Sequence, residues 1–129
     1  MEHVMKNHSF FSGKFNPKSM GIEYTETKTG VKAVFIPKPE YISYFDVVHG
    51  GLMSAILDDA MAFSINILGI KAYTAKLEVK FVKPLIVEEK YFVRADILRR
   101  RKSFITTEGV IKDFSGNIFI TSSAIFIPV

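Results

Sequence analysis

The sequence predicts an α+β fold in which one curved antiparallel β-sheet wraps around a single central helix. Three features predict it. Residues Val47 to Ile70 (VVHGGLMSAILDDAMAFSINILGI) contain no Lys, Arg or Glu, and a nearly all-apolar helix must be covered over most of its circumference. Beyond this segment the apolar period becomes two: Leu77, Val79 and Phe81 alternate with Lys76, Glu78 and Lys80, the pattern of a half-buried strand. The strands that follow are joined by links of hairpin length, which suit antiparallel neighbours because parallel ones need long crossovers.

The elements read in order as follows. Phe10 to Lys18 is loop, and Met20 to Thr27 and Val31 to Pro37 are strands flanking a hairpin turn at Lys28-Thr29-Gly30. The helix begins near Gly51 and ends near Leu68, with Gly69 as its stop. Thr74 to Lys83 is a strand ended by Pro84. Lys90 to Leu98 and Ser103 to Lys112 are strands joined by the basic run Arg99-Arg100-Arg101-Lys102, and Ser115-Gly116-Asn117 turns the chain into a last strand, Ile118 to Ile127. With no internal repeat, low-complexity segment or linker, residues 1–129 are expected to form a single domain.

Composition narrows the function classes. The chain has no cysteine, which excludes a disulfide scaffold, a thiolate nucleophile and a Cys-ligated metal, and suits a reducing compartment. The only histidines are His3, His8 and His49, and no metal-binding cluster, P-loop or G-x-S-x-G elbow is present. The first residues lack a signal or transit pattern, so a cytoplasmic location is expected. A membrane-spanning reading of the central segment would put Asp58 and Asp59 near mid-bilayer, at about 2.5–3.5 kcal/mol each against apolar gains of a few tenths per residue. No membrane partner is therefore expected. The net charge is +4 and the estimated pI 9.3, but most Lys and Arg are dispersed and only residues 99–102 form a run. A small polyanion suffices to explain such a patch, and no nucleic-acid partner is expected. A chain that is 48% hydrophobic without a span is expected to hide apolar surface in an oligomer.

The two adjacent acids stand out, because burial disfavours a carboxylate and no cation lies nearby in sequence. At about 100° per residue, Gly51, Ser54, Asp58 and Ala62 share one narrow face, small or polar throughout. Asp59 shares its face with Leu52, Ala55, Phe63 and Asn66, which are bulkier, and reads as structural.

His49-Gly50-Gly51 opening a buried helix, an acid nine residues after the His, and a following antiparallel sheet resemble the hotdog-fold acyl-CoA thioesterases of the phenylacetate-pathway (PaaI-like) type. The resemblance runs from about Met20 to the C-terminus and is supported by Thr74 to Pro84 and by Arg101-Lys102-Ser103-Phe104. It implies hydrolysis of an acyl-CoA thioester to free acid and coenzyme A at a dimer interface. Coenzyme A would enter as part of the substrate, with no separate cofactor and no metal. It makes Asp58 the catalytic acid and Thr74 the hydroxyl that helps hold the water. Some members carry Asn or Gln upstream of the HGG triplet, where this chain has Ser43, although Asp46 is near enough to take part.

The chemistry follows from the residues. Unpaired N–H groups and the positive dipole end at a helix start favour an oxyanion, and glycine lets a carbonyl approach the backbone. Gly51 N–H is assigned that role, with Gly50 and Ser54 beside the substrate and His49 orienting the loop or the carbonyl. Asp58 activates water or attacks directly. Seven residues separate Gly51 from Asp58, roughly 10 Å of helix rise, whereas base and oxyanion donor should both sit within about 3 Å of the reacting groups. Two chains are therefore expected to share each site, as a homodimer or dimer of dimers. Arg99, Arg100, Arg101 and Lys102 read either as a solvated turn or as a grip on the coenzyme A phosphates. Each assignment has a structural rival: His49 as a backbone-bonded histidine, Asp58 as a buried structural acid, Thr74 as ordinary strand composition. The rival functions are a non-catalytic acyl-CoA-binding or sensing module and an acyl-thioester hydratase or dehydratase.

Overall fold

The computed structural model describes residues 6–129; His3 lies outside them. Two strands, β1 (Thr25–Glu26) and β2 (Gly30–Phe35), precede the helix α1 (Gly50–Asn66), and β3 (Ala72–Phe81), β4 (Tyr91–Arg100), β5 (Ile105–Asp113) and β6 (Ile118–Pro128) follow it. All pairings are antiparallel, in one sheet of order β1-β2-β4-β5-β6-β3. The two-period pattern drives this arrangement: Val31, Ala33 and Phe35 of β2, Val93 and Ala95 of β4, Ile105 and Ile111 of β5, and Ile120, Ala124 and Phe126 of β6 are buried. They meet Met53, Ile56, Leu57, Ala60, Met61 and Ile65, the buried face of α1. Burying a side chain of this size contributes about 1.5–3 kcal/mol, so helix and sheet form a joint core.

Helix α1 starts one residue before the expected position and gives way at Ile67. Gly69, at φ 76°, takes the left-handed conformation that stops it. No helix among the described residues is long and apolar enough to cross a membrane.

Two expectations are corrected. The predicted strand Met20 to Thr27 contracts to Thr25–Glu26. Its first half bonds elsewhere: Met20 N–H donates to Phe10 O at 2.7 Å and Ile22 N–H to Phe11 O at 2.9 Å, so these residues line up with the N-terminal segment rather than with β2. The basic run is not wholly a turn. Arg99 and Arg100 extend β4, and the link is Arg101–Phe104, closed by Arg101 N–H donating to Phe104 O at 2.9 Å.

Candidate active site

At the start of α1, His49 is the N-cap residue and its side chain makes no capping bond. The loop before it is anchored through main chain: His49 N–H donates to Tyr41 O at 2.9 Å, Val48 N–H to Leu85 O at 3.1 Å, and Ser43 N–H to Val47 O at 2.9 Å. Asp46 is exposed. The first bond within the helix is Met53 N–H to His49 O, so the amides of Gly50, Gly51 and Leu52 precede any helical acceptor. The two glycines differ. A Cβ on Gly50 would lie 3.3 Å from the Phe81 ring of β3, whereas one on Gly51 would meet nothing within 4 Å. Packing accounts for the first glycine, while the second is bare towards the outside. Ser54 turns inward on the helix, its hydroxyl donating to Gly50 O at 3.0 Å.

Asp58 lies two turns further along, half-buried, and accepts a 2.7 Å hydrogen bond from Thr74 Oγ1. A β-bulge makes that contact. The β3–β6 register slips between Thr74 and Lys76, leaving Ala75 as the extra residue. Strict alternation would group Thr74 with Lys76, Glu78 and Lys80 on the outer face. The bulge instead puts it opposite buried Phe126, on the same side as Leu77. Burial pushes the Asp58 pKa above the ordinary carboxylate value; the Thr74 hydroxyl opposes the shift and the Asp59 charge adds to it. Such a carboxyl is a better proton acceptor than a solvated one.

Asp59 does something else. Its carboxylate accepts from Ser9 Oγ at 2.6 Å, Ser12 Oγ at 2.7 Å and Tyr24 Oη at 2.8 Å. Burial and the neighbouring carboxylate hold the Tyr24 phenol far above its ordinary value, so it stays a donor. Its ring packs on Phe63 with centroids 4.8 Å apart.

The basic residues sit at the Thr74 end of the sheet. Arg100 pairs with Ile105, Ile105 with Phe126, and Phe126 with Thr74, so three strand spacings, roughly 14 Å, separate Arg100 from Thr74. Arg99, Arg100, Arg101 and Lys102 are all exposed. Among the described residues no group of three or more His, Cys, Asp or Glu could hold a metal ion.

A helix start and a buried acid on one helix, inside such a sheet, can be compared with known proteins. The family model of the Thioesterase superfamily matches residues 45–120, from the loop before His49 into β6. The chain belongs to that superfamily. Solved structures show the same hotdog fold. A thioesterase superfamily protein aligns with a TM-score of 0.85 at 19% identity, covering 96% of this chain, which spans 64% of that one. The PaaI protein from the phenylacetic acid degradation operon of E. coli aligns at 0.79 and 16%, covering 85% of each chain. A hypothetical thioesterase from Streptococcus pneumoniae, crystallised with coenzyme A, aligns at 0.79 and 13%, covering 84% of this chain and 85% of that one. At these identities the likeness is one of fold. No curated protein matches the sequence.

Within this superfamily chain, the structure brings Asp58 and Thr74 into contact and leaves Gly51 at the far end of the same helix. Ser9, Ser12 and Tyr24 escaped the sequence reading. The signal for them was chemical: a second acid on a covered helix face, without a cation in reach, requires hydroxyl or amide donors.

Proposed function

We propose that the protein hydrolyses acyl-CoA thioesters, and that Asp58, held by Thr74, is its general base. The observation that carries this reading is the Asp58–Thr74 pair itself. It stands beside the helix face of Gly51, Ser54, Asp58 and Ala62, none of whose members is fully buried. In the proposed reaction the Asp58 carboxylate removes a proton from water as its oxygen bonds to the thioester carbon. The carbonyl oxygen becomes an oxyanion on Gly51 N–H. Collapse of the intermediate breaks the carbon–sulfur bond, and the departing thiolate takes the proton from Asp58, leaving free acid and coenzyme A.

Because Gly51 and Asp58 are about 10 Å apart along one helix, each site takes Gly51 from one chain and Asp58 from a second. The small-residue face lets two helices lie side by side. Strand β3 sits at the sheet edge next to it, with one side unpaired. The basic hairpin at the Thr74 end receives the phosphates of coenzyme A, since guanidinium geometry suits phosphate.

Release of free thiol from a panel of short, medium, long and aromatic acyl-CoAs tests the reading. Turnover of at least one is expected, and release from none overturns it. Two further results are expected. Thr74→Ala lowers kcat about tenfold, less than the 10²–10⁴-fold of losing the base itself, and moves the acid limb of the kcat–pH profile upward, because the lost hydroxyl had favoured the ionised carboxylate. Thr74→Ser leaves both near wild type. Replacing Arg100 and Arg101 by Gln raises KM several-fold with kcat nearly unchanged, and the difference shrinks as salt screens the exposed charges; an unchanged KM at low salt returns the hairpin to a solvated turn.

A further inference from the structure

The helix face carrying Leu52, Asp59 and Phe63 is covered by chain that precedes the sheet, not by the sheet. Asp59 fastens it. Its carboxylate is gripped by Ser9 and Ser12 on one side of a compact turn and by Tyr24 at the far end of the segment. The turn is braced internally: Asn7 Nδ2 donates to Ser12 Oγ at 3.0 Å, Phe11 N–H to Ser9 Oγ at 3.0 Å and Gly13 N–H to Ser9 O at 2.9 Å. Met20 and Ile22 then pair back on Phe10 and Phe11. The segment is thus built as a rigid strap whose attachment point is one residue from Asp58.

Between this strap and the start of the helix lies a cavity of about 490 Å³, within the size range of small-molecule sites. Phe10 and Met20 of the strap, Tyr41 of the turn before the helix, and Leu52 give it apolar walls, and His49 and Leu52, which flank the two glycines in sequence, bring it to the start of the helix. Lys18, Ser19, Lys38 and Glu40 complete the lining, which limits the apolar stretch. A thioester carbonyl on Gly51 N–H, with its coenzyme A arm running to the basic hairpin of the chain that supplies Asp58, directs its acyl group away from that hairpin and into this cavity.

We propose that the strap from Phe10 to Met20 is the acyl-selecting wall of the site, admitting short to medium acyl groups, and that Asp59 is the positioning residue that holds it. The proposal rests on the thioesterase reading above. The test uses Phe10→Ala and Asp59→Asn in the full chain, with kcat and KM measured on straight-chain substrates from acetyl- to lauroyl-CoA. Affinities for the matching non-hydrolysable alkyl-CoA thioethers are measured alongside. Phe10 is half exposed, so its truncation spares the core. Phe10→Ala is expected to raise the long-to-short ratio of kcat/KM about tenfold, the low end of what a methylene-sized change in an apolar pocket supplies. Asp59→Asn shifts the ratio in the same direction, mainly through KM. Should Asp59→Asn not fold, the double variant Ser9→Ala with Ser12→Ala releases the same strap. A ratio within about twofold of wild type for Phe10→Ala, in an enzyme that turns over, overturns the proposal and leaves the thioesterase reading intact. If wild type turns over nothing, that reading fails, and the thioethers decide the wall by themselves: length-dependent affinity relaxed by Phe10→Ala supports it, and length-independent affinity overturns it.

Discussion

Asp58→Asn is expected to lower kcat about 10²–10⁴-fold, the contribution of a positioned general base, in a protein no less stable than wild type at neutral pH. Asn keeps the size of the side chain and an oxygen to accept the Thr74 hydroxyl, but it cannot take a proton from water. The stability half of the expectation follows from burial. The Asp58 pKa is raised above its unfolded value, so the folded chain binds that proton more tightly than the unfolded chain. Stability therefore falls as pH rises from the unfolded value, near 4, through the raised folded one. Asn removes the titration. Melting curves should put the variant at or above wild type near pH 7, with the gap closing as the solution is acidified towards pH 4. A folded variant with kcat within a few-fold of wild type would sink the assignment. A variant active near wild type but less stable at neutral pH would make Asp58 the structural acid that its burial alone permits.

What the sequence could and could not disclose follows from the range of each interaction. Helix α1 and the alternation of Leu77 and Val79 with charged neighbours were legible because periodicity is local and the core enforces it, whereas Phe81, which continues the alternation to the end of β3, is 52% exposed. The small-residue face of Asp58 was legible for the same reason, since an angle on a helix depends only on spacing. Thr74 is different. Read by alternation alone it belongs on the outer face with Lys76, and only the bulge at Ala75, a matter of pairing with β6, turns it to Asp58. Asp59 was readable as structural, but its partners were not, because Ser9, Ser12 and Tyr24 come from 35 to 50 positions away, beyond the reach of any local pattern. The predicted strand from Met20 failed for a related reason. Its residues alternate acceptably, yet their backbone groups find Phe10 and Phe11 before they reach β2.

Equal mixing of an Asp58→Asn chain with a Gly51→Pro chain is expected to restore about a quarter of wild-type activity from two nearly inactive parents. Gly51→Pro is the cleanest way to delete the oxyanion donor. Position 51 is the second residue of the first helical turn, where an amide lacks a helical acceptor and proline removes no intrahelical bond, and a Cβ there meets nothing within 4 Å. Its loss should cost about 10²–10³ in kcat, as for a single oxyanion donor elsewhere. After unfolding and refolding together, about half of the two-fold dimers proposed above would contain one chain of each kind. In each of these, one site combines the intact Gly51 of the first chain with the intact Asp58 of the second, and the other site has lost both. Half of the dimers with one of two sites alive gives the quarter. If a single chain supplied both groups, every site in the mixture would lack one of them and mixing would restore nothing. Two chains refolded separately and then combined provide the control, with activity appearing only as fast as subunits exchange. The 10 Å between Gly51 and Asp58 along one helix thus becomes a statement about which chain holds which end of the reaction.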